Sequence, residues 1–278
     1  MSESPIQRAP KPRRDFFQWI VRILYLTYEF LIAVPIFVAA TLITAIITVF
    51  GTLLGKRDFW GYWPASLWSR FTCHLFLMRV KVVGRENIDP KQSYVFVANH
   101  QGAYDIWTIY GFLGHNFKWL MKKPLEKIFL VGPACKMAGH IMVDDSSIAG
   151  IKETIAESEE TLKGGMSLVI FPEGSRSWNG EMIDFKRGAF MLASEFKLPV
   201  VPLTIDGSFK AMPRYTYCMT PAKITLTIHK PIWPGEKGFN TKRLMAQCRE
   251  EIESALPKKS DASDQSDLSD TYYKSANR

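Results

Sequence analysis

A run of 26 residues without a charged side chain, residues 30–55, limits the folds open to this chain more than any other feature: FLIAVPIFVAATLITAIITVFGTLLG. About 20 apolar residues cross the hydrocarbon core of a bilayer, so the run is long enough to lie in a membrane. It is longer than the apolar region of a signal peptide, and no small-residue cleavage site follows it. The alternative, a buried hairpin in a soluble core, is disfavoured by the length and uniformity of the run. We therefore expect a protein that works at a membrane.

The topology of this anchor is less constrained. Residues 16–29 are also mostly apolar, and Pro35 separates them from the rest of the run. Basic residues flank both ends of the segment, which the positive-inside bias would place on the cytoplasmic side. A helical hairpin or a re-entrant pair over residues 16–57, kinked near Pro35, satisfies this bias, and we predict the hairpin. A single membrane span is the alternative. The basic flanking residues are Arg8, Lys11, Arg13, Arg14, Lys56 and Arg57.

The net charge of +8 and the pI near 9.2 allow two kinds of partner, nucleic acid or an anionic membrane surface. The apolar anchor favours the membrane, because each Lys or Arg near anionic headgroups gains about 1 kcal/mol. No nucleic-acid-binding motif is present, so we expect no nucleic-acid partner. The four cysteines are scattered without metal-ligand or disulfide spacing. We expect reduced thiols on the cytoplasmic side and no metal site.

After the anchor, short β-like runs alternate with helical patterns. The predicted strands are residues 79–83, 94–98, 167–171, 199–205 and 223–229, and the predicted helices are residues 106–113, 148–162, 186–196 and 241–256. Such alternation predicts an α/β domain, residues 58–256, with a mostly parallel sheet flanked by helices. The aromatic residues 59–76 predict either an interfacial helix or a core helix of this domain. Residues 1–15 form a basic segment, and the polar residues 257–278 are predicted to be disordered.

The stretch VANHQGAYDIW, residues 97–107, follows a predicted buried strand and leads into a predicted helix. Ligand sites of open α/β sheets lie at the carboxyl ends of strands. A turn containing Gly102 allows His100 to fold back on Asp105. A carboxylate that holds one imidazole nitrogen leaves the other free to accept a substrate proton. Taken alone, this H-x-x-x-x-D spacing is a weak signal that is structural more often than not.

A second stretch, VIFPEGSRSWNG, residues 169–180, is another strand that runs into a glycine-containing loop. It carries Glu173 and Arg176, and an arginine guanidinium matches the geometry of a phosphate. Lys186 and Arg187 follow, and Lys122 and Lys123 lie after the first predicted helix. Each cation alone is more simply a solvated surface charge. Together they predict a cationic pocket beside a potential base.

Two blocks of this sequence resemble those of a known family. NHQGAYD resembles the N-H-x-x-x-x-D block, and FPEGSRS resembles the F-P-E-G-T/S-R-S block, of the glycerolipid acyltransferases typified by 1-acyl-glycerol-3-phosphate acyltransferases (PlsC-like). VVPLTIDGS, residues 200–208, is similar to a later V-P-x-x-I block. The blocks occur in the family's order, and the resemblance covers residues 80–232.

The resemblance implies transfer of a fatty acyl group from a thioester, acyl-CoA or acyl carrier protein, to the hydroxyl of a lysophospholipid. His100 would be the general base and Asp105 the residue that orients it. The acceptor's phosphate would lie on Arg176, within a binding loop that includes Glu173, Gly174 and Ser175. A family lysine between the two blocks aligns with Lys123, or with Lys122 as a near alternative. The thioester is a cosubstrate, so we expect no cofactor, and we expect the catalytic domain to face the cytoplasm at the inner membrane.

One residue departs from the family pattern. The segment AGHIMVDDSS, residues 138–147, places Asp145 where the family usually has arginine, a presumed phosphate ligand. The acceptor is therefore 1-acyl-glycerol-3-phosphate or, alternatively, another lysolipid such as a lysophosphatidylethanolamine or an aminolipid. An esterase would need a G-x-S-x-G turn, and Ser175 lacks the second glycine. A non-catalytic lipid-binding protein would not need the His/Asp pair that is present.

Overall fold

A seven-stranded sheet forms the centre of the computed structural model, which describes residues 16–144, 147–235 and 241–257. The strands are β1 (Arg79–Val83), β2 (Val95–Ala98), β3 (Phe117–Lys122), β4 (Ile141–Val143), β5 (Ser167–Ile170), β6 (Val200–Asp206) and β7 (Lys223–Ile228). Their order across the sheet is β1-β7-β6-β2-β5-β3-β4. Every neighbouring pair is parallel except β6 and β7. The prediction of a mostly parallel sheet is confirmed.

The five strands from β6 to β4 run in one direction, so their carboxyl ends meet at one edge of the sheet. The central strands β2 and β5 are buried along their whole length, because helices cover both faces. The loops that follow β2 and β5 therefore leave the sheet side by side.

Ten α-helices flank the sheet within the described residues. They are α1 (Phe16–Tyr28), α2 (Val34–Leu53), α3 (Arg57–Trp60), α4 (Trp63–Leu75), α5 (Tyr104–Phe112), α6 (Val131–Met137), α7 (Ile148–Lys163), α8 (Gly188–Glu195), α9 (Ser208–Ala211) and α10 (Thr241–Ser254). One face of the sheet is covered by α4 and α5, and α2 packs on α4 and α6 outside them. The other face is covered by α7, α8 and α10. Helix α7 begins at an N-cap, where the Ser147 hydroxyl oxygen accepts from the Gly150 N–H at 3.0 Å.

The N-terminal segment differs from the predicted hairpin. Residues Phe16–Leu53 form one continuous helix of 38 residues, because a π-helical turn, Glu29–Ala33, joins α1 directly to α2. The Val34 N–H bonds to the Glu29 carbonyl five residues back, which widens the helix just before Pro35. Proline lacks an N–H and crowds the preceding turn, and this wider turn accommodates it without a reversal.

This long helix is largely apolar, its most apolar 18-residue window having a mean hydropathy of 2.7, and one stripe of it packs against the α/β domain. The Phe37 ring contacts the rings of Trp68 and Trp107, and the Tyr28 hydroxyl donates to the Leu75 carbonyl at 2.8 Å. The rest of its surface remains apolar and exposed. Helix α4 lies within the aromatic segment that was predicted to be either an interfacial or a core helix, and it has features of both. It buries one face on α5 and exposes large apolar side chains on the other.

The prediction missed β3 and β4. Two lysines occur in the six residues of β3, and β4 has only three residues, so neither shows a clear alternating pattern. Both are strands because they pair with β5 and with each other, which local sequence does not show. The predicted basic segment 1–15, Asp145 and the predicted disordered residues 258–278 lie outside the described residues.

Candidate active site

The turn between β2 and α5 brings the two residues of the first block together. His100 Nδ1 lies 2.8 Å from Asp105 Oδ2, and Asp105 is completely buried. The same Oδ2 accepts the Gln101 N–H at 2.8 Å and the Gly102 N–H at 3.0 Å. Three donors on one oxygen fix the carboxylate, and the carboxylate fixes the imidazole. This network assigns the proton to Nδ1 and leaves Nε2 as the free acceptor.

The His100 ring is also held by stacking. It lies 3.9 Å from the Phe171 ring at an interplanar angle of 12°, and Phe171 in turn stacks on Trp119 at 5.5 Å. The His100 side chain is 13% exposed, so the imidazole is packed on one face and still open to a ligand. Neither aromatic residue was singled out from the sequence, because their approach depends on the pairing of β3 with β5.

The loop after β5 forms hydrogen bonds with both the N–H and the carbonyl of His100. Glu173 Oε1 accepts the His100 N–H at 2.7 Å, and the Ser177 N–H donates to the His100 carbonyl at 2.9 Å. Glu173 Oε2 accepts the Ile183 N–H at 3.0 Å. Both carboxylate oxygens are thus used by the backbone, and Glu173 is only 3% exposed. Glu173 therefore shapes the predicted binding loop, and its carboxylate positions the main chain of His100.

The buried position of Glu173 affects its ionisation. Burial raises the pKa of Glu173 to about 7, although the N–H groups of Ile183 and His100 favour the charged form. Gly174 follows with φ +73°, a conformation that favours glycine, and the side chain of Lys186 lies over it, within about 3 Å of where a Cβ would be. Ser175, which lies between Gly174 and Arg176 in the chain, is partly buried.

Arg176 presents a cationic group beside the His100–Asp105 pair. Burial lowers the pKa of Arg176, the charge of Arg214 lowers it further, and the charge of Asp105 acts in the opposite direction. Its guanidinium has no hydrogen-bond or ion-pair partner among the described residues. An unneutralised, half-buried guanidinium near a reactive histidine is suited to bind an anion.

Lys123 lies in a different environment from Arg176. Its Nζ forms an ion pair with Asp144 Oδ2 at 2.7 Å, and its side chain is 48% exposed. Lys122, the alternative, is the exposed last residue of β3. The structure therefore brings together His100, Asp105 and Arg176, while the ammonium group of Lys123 is already neutralised by a carboxylate.

An apolar cavity of ≈ 190 Å³ lies on the face of the sheet that α4 and α5 cover. Ile106, the residue after Asp105, lines it together with Trp119. His140 lines it as well, but burial lowers the pKa of His140 to about 3, and its two ring nitrogens bond to the Tyr110 hydroxyl and the Trp119 N–H. His140 is therefore a neutral packing residue. The cavity was not predicted from the sequence, because it forms where α2, α4, α5, α6 and β3 meet.

Comparison with known proteins finds similarity to acyltransferases. The acyltransferase family model matches residues 79–206. A 1-acyl-sn-glycerol-3-phosphate acyltransferase of Chlamydomonas reinhardtii is 28% identical, over 90% of this chain and 73% of that protein. A chloroplastic 1-acyl-sn-glycerol-3-phosphate acyltransferase of Brassica napus is 30% identical, over 72% of this chain and 57% of its own length.

A solved structure is similar over nearly the whole fold. The crystal structure of the 1-acyl-sn-glycerophosphate acyltransferase PlsC from Thermotoga maritima superposes with a TM-score of 0.71 and 26% identity, covering 85% of this chain and 95% of that one. The family match spans the strands that carry both sequence blocks, and the structural match covers a larger share of the chain. This chain therefore belongs to the family of glycerolipid O-acyltransferases that includes PlsC.

Proposed function

We propose that this protein transfers a fatty acyl group from a thioester to the free hydroxyl of 1-acyl-glycerol-3-phosphate, forming phosphatidic acid. The observation that carries the proposal is the His100–Asp105 pair at 2.8 Å beside the unneutralised guanidinium of Arg176. The two relatives described above, both 1-acyl-sn-glycerol-3-phosphate acyltransferases, support it. Acyl-CoA or acyl carrier protein is the proposed donor.

In the proposed reaction, His100 Nε2 accepts the proton of the acceptor hydroxyl as its oxygen attacks the thioester carbonyl. The tetrahedral intermediate collapses, the carbon–sulfur bond breaks, and the leaving sulfur takes the proton from His100 Nε2, which returns the imidazole to its neutral form. Asp105 stabilises the imidazolium that forms in between. The thioester supplies the driving force, so the step needs neither an enzyme nucleophile nor a resident cofactor.

Substrate positioning follows from the surroundings of this pair. Arg176 offers paired donors to the acceptor's phosphate, which places the hydroxyl near Nε2. The apolar cavity that begins at Ile106 is lined by groups suited to a fatty acyl chain. Because the lysolipid is itself a membrane component, the exposed apolar surface of the N-terminal helix puts the site where its substrate is. We propose the cytoplasmic face of the inner membrane as its location.

An acceptor panel tests this function. The full-length protein in detergent micelles or vesicles is given radiolabelled acyl-CoA with lysophosphatidic acid or with lysophosphatidylethanolamine, whose phosphate is a diester. We expect kcat/KM to be at least about tenfold higher for lysophosphatidic acid, because a charge-assisted hydrogen bond contributes about 1.5–3 kcal/mol. A parallel series with acyl carrier protein thioesters identifies the donor.

Two results would contradict the proposal. A preference for lysophosphatidylethanolamine would favour the alternative acceptor that Asp145 motivates, a residue outside the described part of the chain. Release of free fatty acid without acyl transfer would indicate an esterase. His100→Ala serves as the inactive control in both series.

A further inference from the structure

A second arginine lies against the loop that carries Arg176. Arg214 belongs to the segment between α9 and β7, and its Nη1 donates to the main-chain carbonyl of Arg176 at 3.0 Å. Its guanidinium carbon also lies 4.3 Å from the centre of the Trp178 ring. The hydrogen bond to Arg176 and the cation–π contact with Trp178 together hold the Arg214 side chain against this loop.

The two guanidinium groups are close enough to affect each other electrostatically. The charge of Arg214 is the largest cause, after burial, of the lowered pKa of Arg176. Within the described residues, no carboxylate lies within 4 Å of either guanidinium. Two like charges in a half-buried position are unfavourable unless an anion joins them. Arg176 and Arg214 therefore lack a neighbouring negative charge, and an anionic ligand can supply it.

The segment that bears Arg214 is fixed to the catalytic turn. The Ala103 N–H bonds to the Met212 carbonyl, and a Cβ on Gly102 would lie 2.4 Å from the Ser208 carbonyl oxygen. The Thr220 N–H closes the segment on the Ala211 carbonyl at 2.9 Å. This backbone packing sets Arg214 at a constant position relative to the turn that carries His100 and Asp105.

From these contacts we infer that Arg214 is a second ligand of the acceptor's phosphate, forming a two-arginine site with Arg176. The inference rests on the proposed function, because it presupposes a phosphate monoester as part of the acceptor. A dianionic monoester has three terminal oxygens, so it can accept from both guanidinium groups at once. Arg214 thereby favours a monoester over a diester headgroup.

The test compares Arg214→Gln and Arg214→Lys with the wild type in steady-state kinetics on lysophosphatidic acid and acyl-CoA. We expect Arg214→Gln to raise the KM for lysophosphatidic acid about 10- to 100-fold, the loss associated with hydrogen bonds to a charged group. The KM for acyl-CoA should stay within about twofold. Arg214→Lys keeps the charge but lacks the planar set of donors, so its KM for lysophosphatidic acid should lie between those of the wild type and Arg214→Gln. Lys210→Gln, an exposed cation on the adjacent helix α9, is the matched control and should leave both constants unchanged.

The pH dependence separates a phosphate ligand from a structural strut. The second ionisation of a phosphate monoester lies near pH 6, so the wild-type KM for lysophosphatidic acid should fall as the pH rises from 5.5 to 7.5. Arg214→Gln should show a flatter dependence because one dianion-binding group is gone. The Ki for inhibition by glycerol 3-phosphate should rise in Arg214→Gln together with the KM for lysophosphatidic acid.

The failures are distinguishable. If the wild type acylates lysophosphatidic acid and Arg214→Gln has an unchanged KM, the inference is wrong while the proposed function stands. If Arg214→Gln changes both KM values alike and keeps the wild-type pH dependence, Arg214 only supports the loop. If the wild type itself does not use lysophosphatidic acid, the proposed function fails, and the inference fails with it.

Discussion

At the scale of single residues, the site depends on how firmly one imidazole is held. Asp105 Oδ2 receives three donors, and the main chain of His100 is bonded at its N–H and at its carbonyl by the loop after β5. This arrangement fixes the ring before a substrate arrives. Orientation of a reacting group in advance is a main source of enzymatic rate enhancement.

The first prediction concerns the pair itself. His100→Ala and Asp105→Asn should each lower kcat by about 10²- to 10⁴-fold, the usual contribution of general-base catalysis. The KM for the acceptor should change far less, because neither side chain is proposed to bind the phosphate. Asp184→Asn, a fully exposed carboxylate, is the control. Near-normal turnover by purified His100→Ala would show that another group is the base.

The second prediction concerns Glu173 and pH. The folded-state pKa of about 7 exceeds the ordinary value of 4.5, so the folded protein binds this proton more tightly than the unfolded chain does. The contribution of Glu173 to stability therefore falls as the pH rises from about 4.5 to 7. Glu173→Gln cannot titrate, so the wild type should gain stability relative to the variant on acidification, by about 2–3 kcal/mol.

This difference is measured from thermal unfolding midpoints of both proteins at pH 5 and pH 7.5. Glu173→Gln should also lower kcat at both pH values, because an amide nitrogen cannot accept the His100 or Ile183 N–H. Parallel pH curves for the two proteins would show that the Glu173 carboxyl does not ionise in this range.

At the scale of elements, the close approach of the β2–α5 turn to α9 decides where the site forms. Gly102 is required there, because a Cβ would lie 2.4 Å from the Ser208 carbonyl oxygen and 3.1 Å from that of Met212. Both neighbours are main-chain atoms, which yield less readily than the end of a side chain. The glycine therefore permits contact between the turn and the segment that carries Arg214.

The third prediction follows from this contact. Gly102→Ala should destabilise the protein by about 1–3 kcal/mol, a typical effect of overpacking, and should lower kcat by displacing His100. Gly188→Ala is the matched control, because a Cβ at the start of α8 would meet open space. Thermal unfolding and steady-state kinetics of the two variants make the comparison. Equal behaviour of the two alanines would contradict the tight packing described at Gly102.

At the scale of the whole molecule, the apolar surface is concentrated on the N-terminal helix. Leu31 is 72% exposed and Phe50 is 64% exposed, although the opposite stripe of the same helix packs on the domain from Tyr28 to Gly51. The helix therefore lies along the domain over much of its length. A surface of this kind is suited to immersion in a lipid layer.

The fourth prediction is that this surface binds membranes. Leu31→Ser combined with Phe50→Ser should reduce the vesicle-bound fraction in a flotation assay, with a partition coefficient lower by at least about tenfold. Ile151→Ser combined with Ile155→Ser removes exposed apolar side chains of α7, on the other face of the sheet, and should have no such effect. Equal losses from the two pairs would argue against a specific lipid-facing surface.

Much of the architecture was predictable because it follows local rules. The alternation of strands and helices and the position of His100 after a buried strand were both visible in the local sequence pattern. The family blocks added the proposed roles of His100, Asp105 and Arg176. The hairpin prediction failed because a proline signals a break, whereas a π-helical turn absorbs it within one helix.

The sequence by itself thus determined the class of fold and the apolar anchor, since these depend on residue type and short-range spacing, and its resemblance to a family marked the histidine and its acid. Only the tertiary structure decided that Glu173 faces the backbone, that Lys123 pairs with Asp144, and that Arg214 reaches the Arg176 carbonyl. Those contacts join residues far apart in the chain. Their geometry arises from strand pairing and helix packing, which no local pattern encodes.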